Sequence, residues 1–238
     1  MQFSGKKVFI TGASRGIGAQ VASRFRDEGA FVIGTRTSCH SKCETTCDEW
    51  FEVDFSDEGQ IFICADWLSS QNIDVLVNNA GINVNANFKD IDLETFKKIQ
   101  QVNVLAPFLL SQAVIDSMSR QAWGRIVNIS SIWGKISKEG RAAYSASKFA
   151  LDGLTVAIAA EYSCQGIMAN CIAPGFIDTS LTRRMLTSDQ IEKLTAQVPV
   201  GRLGDVDEIA SLVLWLSSPQ NTFVTGQNIA IDGGFTRV

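Results

Sequence analysis

Proline is scarce, at 4 residues in 238, and no proline- or serine-rich stretch, low-complexity tract or internal repeat marks a linker. One domain spanning residues 1–238 is therefore expected. Histidine is scarcer still. His40 is the only one, and it lies in a connection rather than at a strand end, so a Ser–His–Asp hydrolase triad has no base. No uninterrupted apolar run approaches the ~18 residues that a membrane-spanning helix needs. The N-terminal string MQFSGKKVFITG holds only the run VFI before a glycine, too short for a secretory signal. A basic excess is absent as well: 21 Lys and Arg stand against 25 Asp and Glu, a net charge of −4, which argues against a general nucleic-acid binder. Six cysteines without a signal read as thiols of a reducing compartment, and a cytoplasmic location is expected.

What is present is alternation. Short apolar or β-branched runs at residues 7–11, 30–34, 50–54, 74–78, 125–130, 167–172 and 228–231 read as strands. Longer helical patterns fall at residues 17–28, 57–69, 93–119, 144–163 and 205–216, the third with a break expected near Pro107. Strands alternating with helices imply an α/β fold: a Rossmann-type, doubly wound parallel sheet of about seven strands with helices on both faces. The strand cores VFI, FVI and VLV are nearly all apolar, as in a sheet buried on both sides.

The first strand runs into Thr11-Gly12-Ala13-Ser14-Arg15-Gly16-Ile17-Gly18. Glycine permits the tight turn and lets a phosphate approach without a Cβ in the way. The helix that follows offers unpaired N–H groups and the positive end of its dipole. Strand, glycine turn and helix in one βα unit point to dinucleotide binding, with a purely structural glycine turn as the plain alternative. Sites that prefer NAD place an acid at the end of the second strand. Here that position reads Gly34-Thr35-Arg36-Thr37. Arg36, Thr35, Thr37, Ser14 and Arg15 offer donors and positive charge to a 2′-phosphate, so NADP(H) is expected over NAD(H). A merely solvated Arg36 is the alternative.

Tyr144 and Lys148 lie four residues apart in YSASK at the start of a predicted helix, hence on one face. An ammonium there favours the phenolate and lowers the tyrosine pKa, as a general acid/base for a carbonyl–alcohol pair requires. A surface Tyr–Lys contact would show the same spacing. Ser131 closes the fifth strand at the carboxyl edge, where open α/β sheets bind ligands, and can donate to a carbonyl oxygen. Asn79-Ala80-Gly81 ends the fourth strand at that edge, and Asn103 places an amide in mid-helix, where it needs a local partner. A catalytically silent dinucleotide-binding regulator is the competing class, but a pure binder needs none of Ser131, Tyr144 and Lys148.

With these motifs together, the chain resembles the short-chain dehydrogenase/reductase family over its whole length. TGASRGIG resembles the family's cofactor turn and NNAG its fourth-strand motif. Asn103, Ser131, Tyr144 and Lys148 match its catalytic tetrad in order and spacing. The segment containing Pro174, Gly175, Ile177 and Thr179 resembles the one lying along the nicotinamide, and Asp54 matches the adenine contact. The resemblance implies hydride transfer to a carbonyl carbon. In it Tyr144 protonates the oxygen, Ser131 polarises the carbonyl, and Lys148 lowers the tyrosine pKa and binds the nicotinamide ribose. Asn103 holds a water in a relay to Lys148. It also implies a homotetramer, or a dimer. The strings PGFIDT, QVPVGRLG, DEIA and TGQNIAIDGG are similar to those of 3-oxoacyl-[acyl-carrier-protein] reductases. That implies a carrier-bound 3-oxoacyl thioester as substrate. Ala122 and Gln165 are neutral where many such reductases are basic, so another small ketone, a sugar or a polyketide-like substrate stays open.

Two segments remain. Residues 179–200 are polar and charged and lie where the family has a substrate lid, with a plain surface helix pair as the alternative. Cys39, Cys43 and Cys47 recur every four residues in TRTSCHSKCETTCDEW. On a helix they form one stripe, read as packing thiols in preference to a redox site, and no metal is expected from that spacing.

Overall fold

The computed structural model describes residues 1–38, 46–179, 182–183 and 187–238. Seven strands form one parallel sheet: β1 (Lys7–Ile10), β2 (Phe31–Arg36), β3 (Glu49–Glu52), β4 (Val75–Asn78), β5 (Gly124–Ile129), β6 (Ile167–Pro174) and β7 (Asn228–Ile231). Their order across the sheet is β3-β2-β1-β4-β5-β6-β7. The chain starts in the middle, winds to one edge through β3, returns to β4 and winds to the other. The switch falls between β1 and β4, where such sheets bind ligands.

Alternation along each strand divides the core. Val8, Ile10, Val75, Val77, Val127 and Ile129 point to one face, under helices α1 (Gly16–Asp27) and α7 (Val206–Ser217). Phe9, Leu76 and Ile126 point to the other, under α2 (Glu58–Ser69) and α4 (Ala106–Arg120), with α5 (Ala142–Tyr162) packed on β6. Successive side chains in a strand must face opposite ways, so a run with every residue apolar is buried on both sides. Among the described residues the further α-helices are α3 (Leu93–Gln100) and α6 (Ser188–Thr195). Asp57 caps α2 through the Gln60 amide, and Asp205 caps α7 in a capping box with Glu208.

The structure refines three expectations. Residues 93–119 are interrupted near Pro107 as expected, but not by the proline, which lies in the first turn of α4, where a missing N–H costs nothing. The break is a π turn, Gln101–Leu105, in which the Ala106 amide reaches back to the Gln101 carbonyl. Among the described residues, Leu93–Arg120 is also the one helical stretch apolar and long enough to cross a membrane, and half of its apolar window is buried inside the protein. Cys47, expected on a helix with Cys39 and Cys43, lies in the extended lead into β3 and packs against Gly34; Cys39 and Cys43 fall outside the described residues. The segment 179–200 contains α6, opened by a capping box of Thr187 and Gln190. At the amino edge, Ala122 takes a left-handed φ of 50° just before β5.

Candidate active site

The glycine turn is built from the sheet upward. Thr11 ends β1, and its hydroxyl accepts the Asn79 and Ala80 amides at 2.9 Å each, tying β1 to the end of β4. The Asn79 side chain donates back to the carbonyls of Thr11, at 2.9 Å, and Gly12, at 3.1 Å. Thr35 is buried, and its hydroxyl accepts the Gly12 amide at 2.9 Å. Thr35 and Asn79, both expected among the cofactor contacts, thus brace the turn from within. Gly12 and Gly16 have φ values of 66° and 57°, and a Cβ on Gly18 would overlap the Gly12 carbonyl.

This turn fits a pyrophosphate. Arg15 is the N-cap of α1 but gives the first turn no side-chain acceptor, and no acid stands there. The helix therefore presents bare N–H groups and a positive dipole end. A Cβ on Gly16 would meet nothing nearer than Thr179 Cγ2 at 3.9 Å, so the approach is open and Thr179 borders it. Ser14 and Ile17 are partly exposed on the same turn, and Gly81 lies beside Asn103 and Lys148. Arg36, at the end of β2, bonds Glu52 at 2.9 Å and lies 5.4 Å from the Trp50 ring; Thr37 follows it, exposed. Asp54 follows β3 and accepts the Ser56 amide at 2.8 Å. Pro174 and Gly175 carry the chain off β6 to Ile177, which bridges to Gly204.

The groups expected to react gather at the ends of β4 and β5. Ser131 is the N-cap of a short turn, Ile132–Gly134, and its hydroxyl accepts the Trp133 amide at 3.2 Å. Helix α5 crosses this point and brings Tyr144 and Lys148 to it, with Lys148 Nζ 5.6 Å from the Tyr144 ring centre. Lys148 is buried and donates to the Ile129 carbonyl at 2.8 Å. Burial drops its pKa from 10.5 to about 8. The expected depression of the tyrosine is not found: burial pushes the Tyr144 phenol up, against the lowering pull of a hydrogen bond from Ser131 and of the Arg141 charge. Desolvation of the partly exposed Tyr144 outweighs the positive charge near it in this arrangement.

Asn103 sits in the π turn, which aims its amide at the loop after β4. Its oxygen accepts the Ile82 amide at 2.9 Å, and its nitrogen donates to the Ile82 carbonyl and the Ser147 hydroxyl, each at 2.9 Å. The side chain is fully occupied in holding the Gly81–Ile82 backbone against α5. Beneath the site runs a buried chain: Asn78 to the Asn128 amide oxygen at 2.8 Å, Asn128 to the Thr155 hydroxyl at 2.8 Å, and Thr155 to Cys171 at 3.1 Å. Sequence reading missed that chain, and it also missed Arg141 and Trp133. Arg141 had a signal, since it precedes Tyr144 by three residues, near one helical turn. For Trp133 the only hint was its place two residues after Ser131.

Among the described residues no group of three or more metal-ligating side chains occurs.

A family model described as enoyl-(acyl carrier protein) reductase matches residues 12–236. The 3-oxoacyl-[acyl-carrier-protein] reductase FabG of Escherichia coli (strain K12) is 37% identical over 249 residues, with 100% of each chain covered. A crystal structure described as an NAD(P)-dependent gluconate 5-dehydrogenase of Beutenbergia cavernae, with NADP at low occupancy, superposes with a TM-score of 0.93 at 30% identity. It covers 99% of this chain and 98% of its own. A short chain dehydrogenase/reductase family protein superposes with a TM-score of 0.90 at 30% identity, over 99% of this chain and 100% of its own.

Proposed function

The chain is an oxidoreductase of the short-chain dehydrogenase/reductase family, and on that footing we propose that it reduces a ketone to a secondary alcohol with NADPH, Tyr144 supplying the proton. The observation that carries this is the meeting of Ser131, Tyr144 and Lys148 beside the uncapped glycine turn.

Bound NADPH supplies a hydride. The chain's own groups do the rest. Ser131 orients the carbonyl oxygen toward Tyr144 with its hydroxyl, whose other bond, from Trp133, fixes its direction. Tyr144 holds its proton through neutral pH because burial raises its pKa, so it enters the reaction as an acid. Lys148 sits beside it as a positive group that steadies the phenolate left behind, tethered by Ile129. Asn103, whose side chain is taken up by Ile82 and Ser147, keeps the backbone at Gly81–Ile82 and helix α5 in register, which sets where Lys148 points; a relay water would have to be held by its backbone.

Gly12, Gly16, Ile17 and Gly18 receive the pyrophosphate, with Ser14, Arg15, Arg36 and Thr37 around the 2′-phosphate and Asp54 at the adenine. Ala80, Gly81, Pro174, Gly175, Ile177 and Thr179 line the nicotinamide side. NADP in the Beutenbergia cavernae neighbour supports this choice. The substrate read from the named relative is a 3-oxoacyl thioester on an acyl carrier. The described residues of the segment 179–200, α6 among them, form its lid. A homotetramer is the expected assembly, and Phe108 on α4 with Phe149 and Val156 on α5, 40%, 47% and 49% exposed, offer apolar surface for it.

An NADPH-oxidation screen over 3-oxoacyl thioesters, sugars and small ketones tests the reading. Thioester-dependent oxidation that NADH does not match is expected. Equal turnover with NADH would overturn the cofactor assignment, and a monomer by light scattering would overturn the assembly.

A further inference from the structure

Arg141 stands at the N-cap position of α5, half-buried, three residues before Tyr144. Its guanidinium carbon lies 5.7 Å from the Trp133 ring centre, and Lys138 Nζ lies 5.2 Å from the same ring. No carboxylate of the described residues comes within ion-pair distance of either cation. Glu139, the acid closest in sequence, is exposed and forms no ion pair. Burial pulls the Arg141 pKa below its ordinary value, with Tyr144 acting the other way. A guanidinium partly removed from water, with an aromatic face but no anion, sits at a cost that a counter-anion would relieve.

The ring that carries the two cations belongs to an aromatic cluster. Trp133 meets Phe176 at 6.4 Å and Phe235 at 6.3 Å, ring centre to ring centre, and those two meet at 5.0 Å. Trp133, two residues after Ser131, therefore joins both cations to an aromatic cluster. A neutral 3-oxoacyl thioester leaves the cations without a role. One planar guanidinium fork, with one ammonium at the rim, matches the two coplanar oxygens of a monoanionic carboxylate.

We propose that this site also reduces short oxo acids, with Arg141 binding the substrate carboxylate and Lys138 supporting it from the rim. This rests on the reductase reading above. The carbonyl carbon accepts the hydride from NADPH, the C=O π bond opens, and the oxygen takes the proton of Tyr144, which solvent replaces. The oxo acid becomes a hydroxy acid and NADPH becomes NADP⁺. Arg141 and Tyr144 lie one turn apart at the start of α5, so ketone and carboxylate must belong to one short substrate.

The test compares 3-, 4- and 5-oxo acids with their methyl esters on the NADPH-loaded protein. Wild type is expected to prefer the acids. Arg141→Gln should lower kcat/KM for the acid about 30-fold more than for its ester, and Arg141→Lys should recover part of that selectivity. Esters turned over as well as acids by wild type, or equal losses for both in Arg141→Gln, would overturn the proposal. A second arm needs no turnover: calorimetric binding of a saturated carboxylate, pentanoate, to the NADP⁺-loaded protein. Binding weakened at least tenfold by Arg141→Gln supports the clamp, and no binding to wild type defeats it. If no ketone of any kind consumes NADPH, the reductase reading fails, and the calorimetric arm still decides the role of Arg141.

Discussion

Around the glycine turn, at the ends of β1, β2 and β4, buried polar side chains bond to backbone. Thr11 serves Asn79 and Ala80, Thr35 serves Gly12, and Asn79 serves Thr11 and Gly12. Across the same edge, at β5 and α5, the groups are left under-partnered. Lys148 has one carbonyl, Tyr144 is pushed up by burial, and Arg141 has only an aromatic face. The first region is a finished scaffold whose opening is made of backbone N–H groups. The second stores its polarity for a ligand. A buried polar group without full satisfaction is costly, so such groups persist where a substrate completes them.

The largest test of this contrast is Tyr144→Phe. Loss of about 10³-fold in kcat is expected, with NADPH affinity, measured by fluorescence titration, little changed, because the scaffold region is untouched. Loss of cofactor binding of similar size would erase the contrast. Gly18→Ala attacks the other region: its methyl would overlap the Gly12 carbonyl, so a destabilisation of about 1–3 kcal/mol by thermal melting should come with lost NADPH binding. Asn103→Ala joins the two. It leaves the Ile82 N–H and C=O and the Ser147 hydroxyl without their partner, so Tm and kcat should both fall, by about 1–3 kcal/mol in stability.

A gentler test is pH. The Lys148 ammonium, depressed from 10.5 to about 8, is lost as pH rises through that value, while the raised Tyr144 keeps its proton. The kcat/KM for reduction should therefore hold below pH 8 and fall up to about tenfold per unit above it. A flat profile to pH 10 would mean that the cation is not needed. Smallest is Ala122→Gly, far from both regions at the amino edge. It relieves a left-handed φ of 50° and should stabilise by about 0.5–1 kcal/mol without changing kinetics.

The inner strands β1, β2 and β4 were legible in the sequence because each holds a short apolar run closed by a polar residue or glycine, and β7 lies at residues 228–231 as expected. The glycine turn and the Tyr144–Lys148 spacing were legible because local geometry dictates them. The α6 capping box, Thr187 with Gln190, was written in the sequence too, but the polar segment around it obscured its helix. What spacing could not reveal was set by packing. The pKa of Tyr144 follows from burial, and Arg141 meets Trp133 only because the loop between β5 and α5 folds back. The break near Pro107 was legible but its cause was not: Asn103, three residues before α4 begins, bonds to Ile82 from within the π turn.

That π turn also sets a phase. Each helical residue advances about 100°, and a π turn takes up one residue more than an α turn, so the apolar spacing slips by one residue in sequence while α3 and α4 keep their faces. Ile99 before the turn and Leu110 and Val114 after it are all in the core across that slip. Deleting one residue between 101 and 105 would make one regular helix. Its two ends could still face inward, but the widened turn that aims Asn103 at Ile82 would be gone. The surplus residue is what lets one rod serve the interior at both ends and the reaction in the middle.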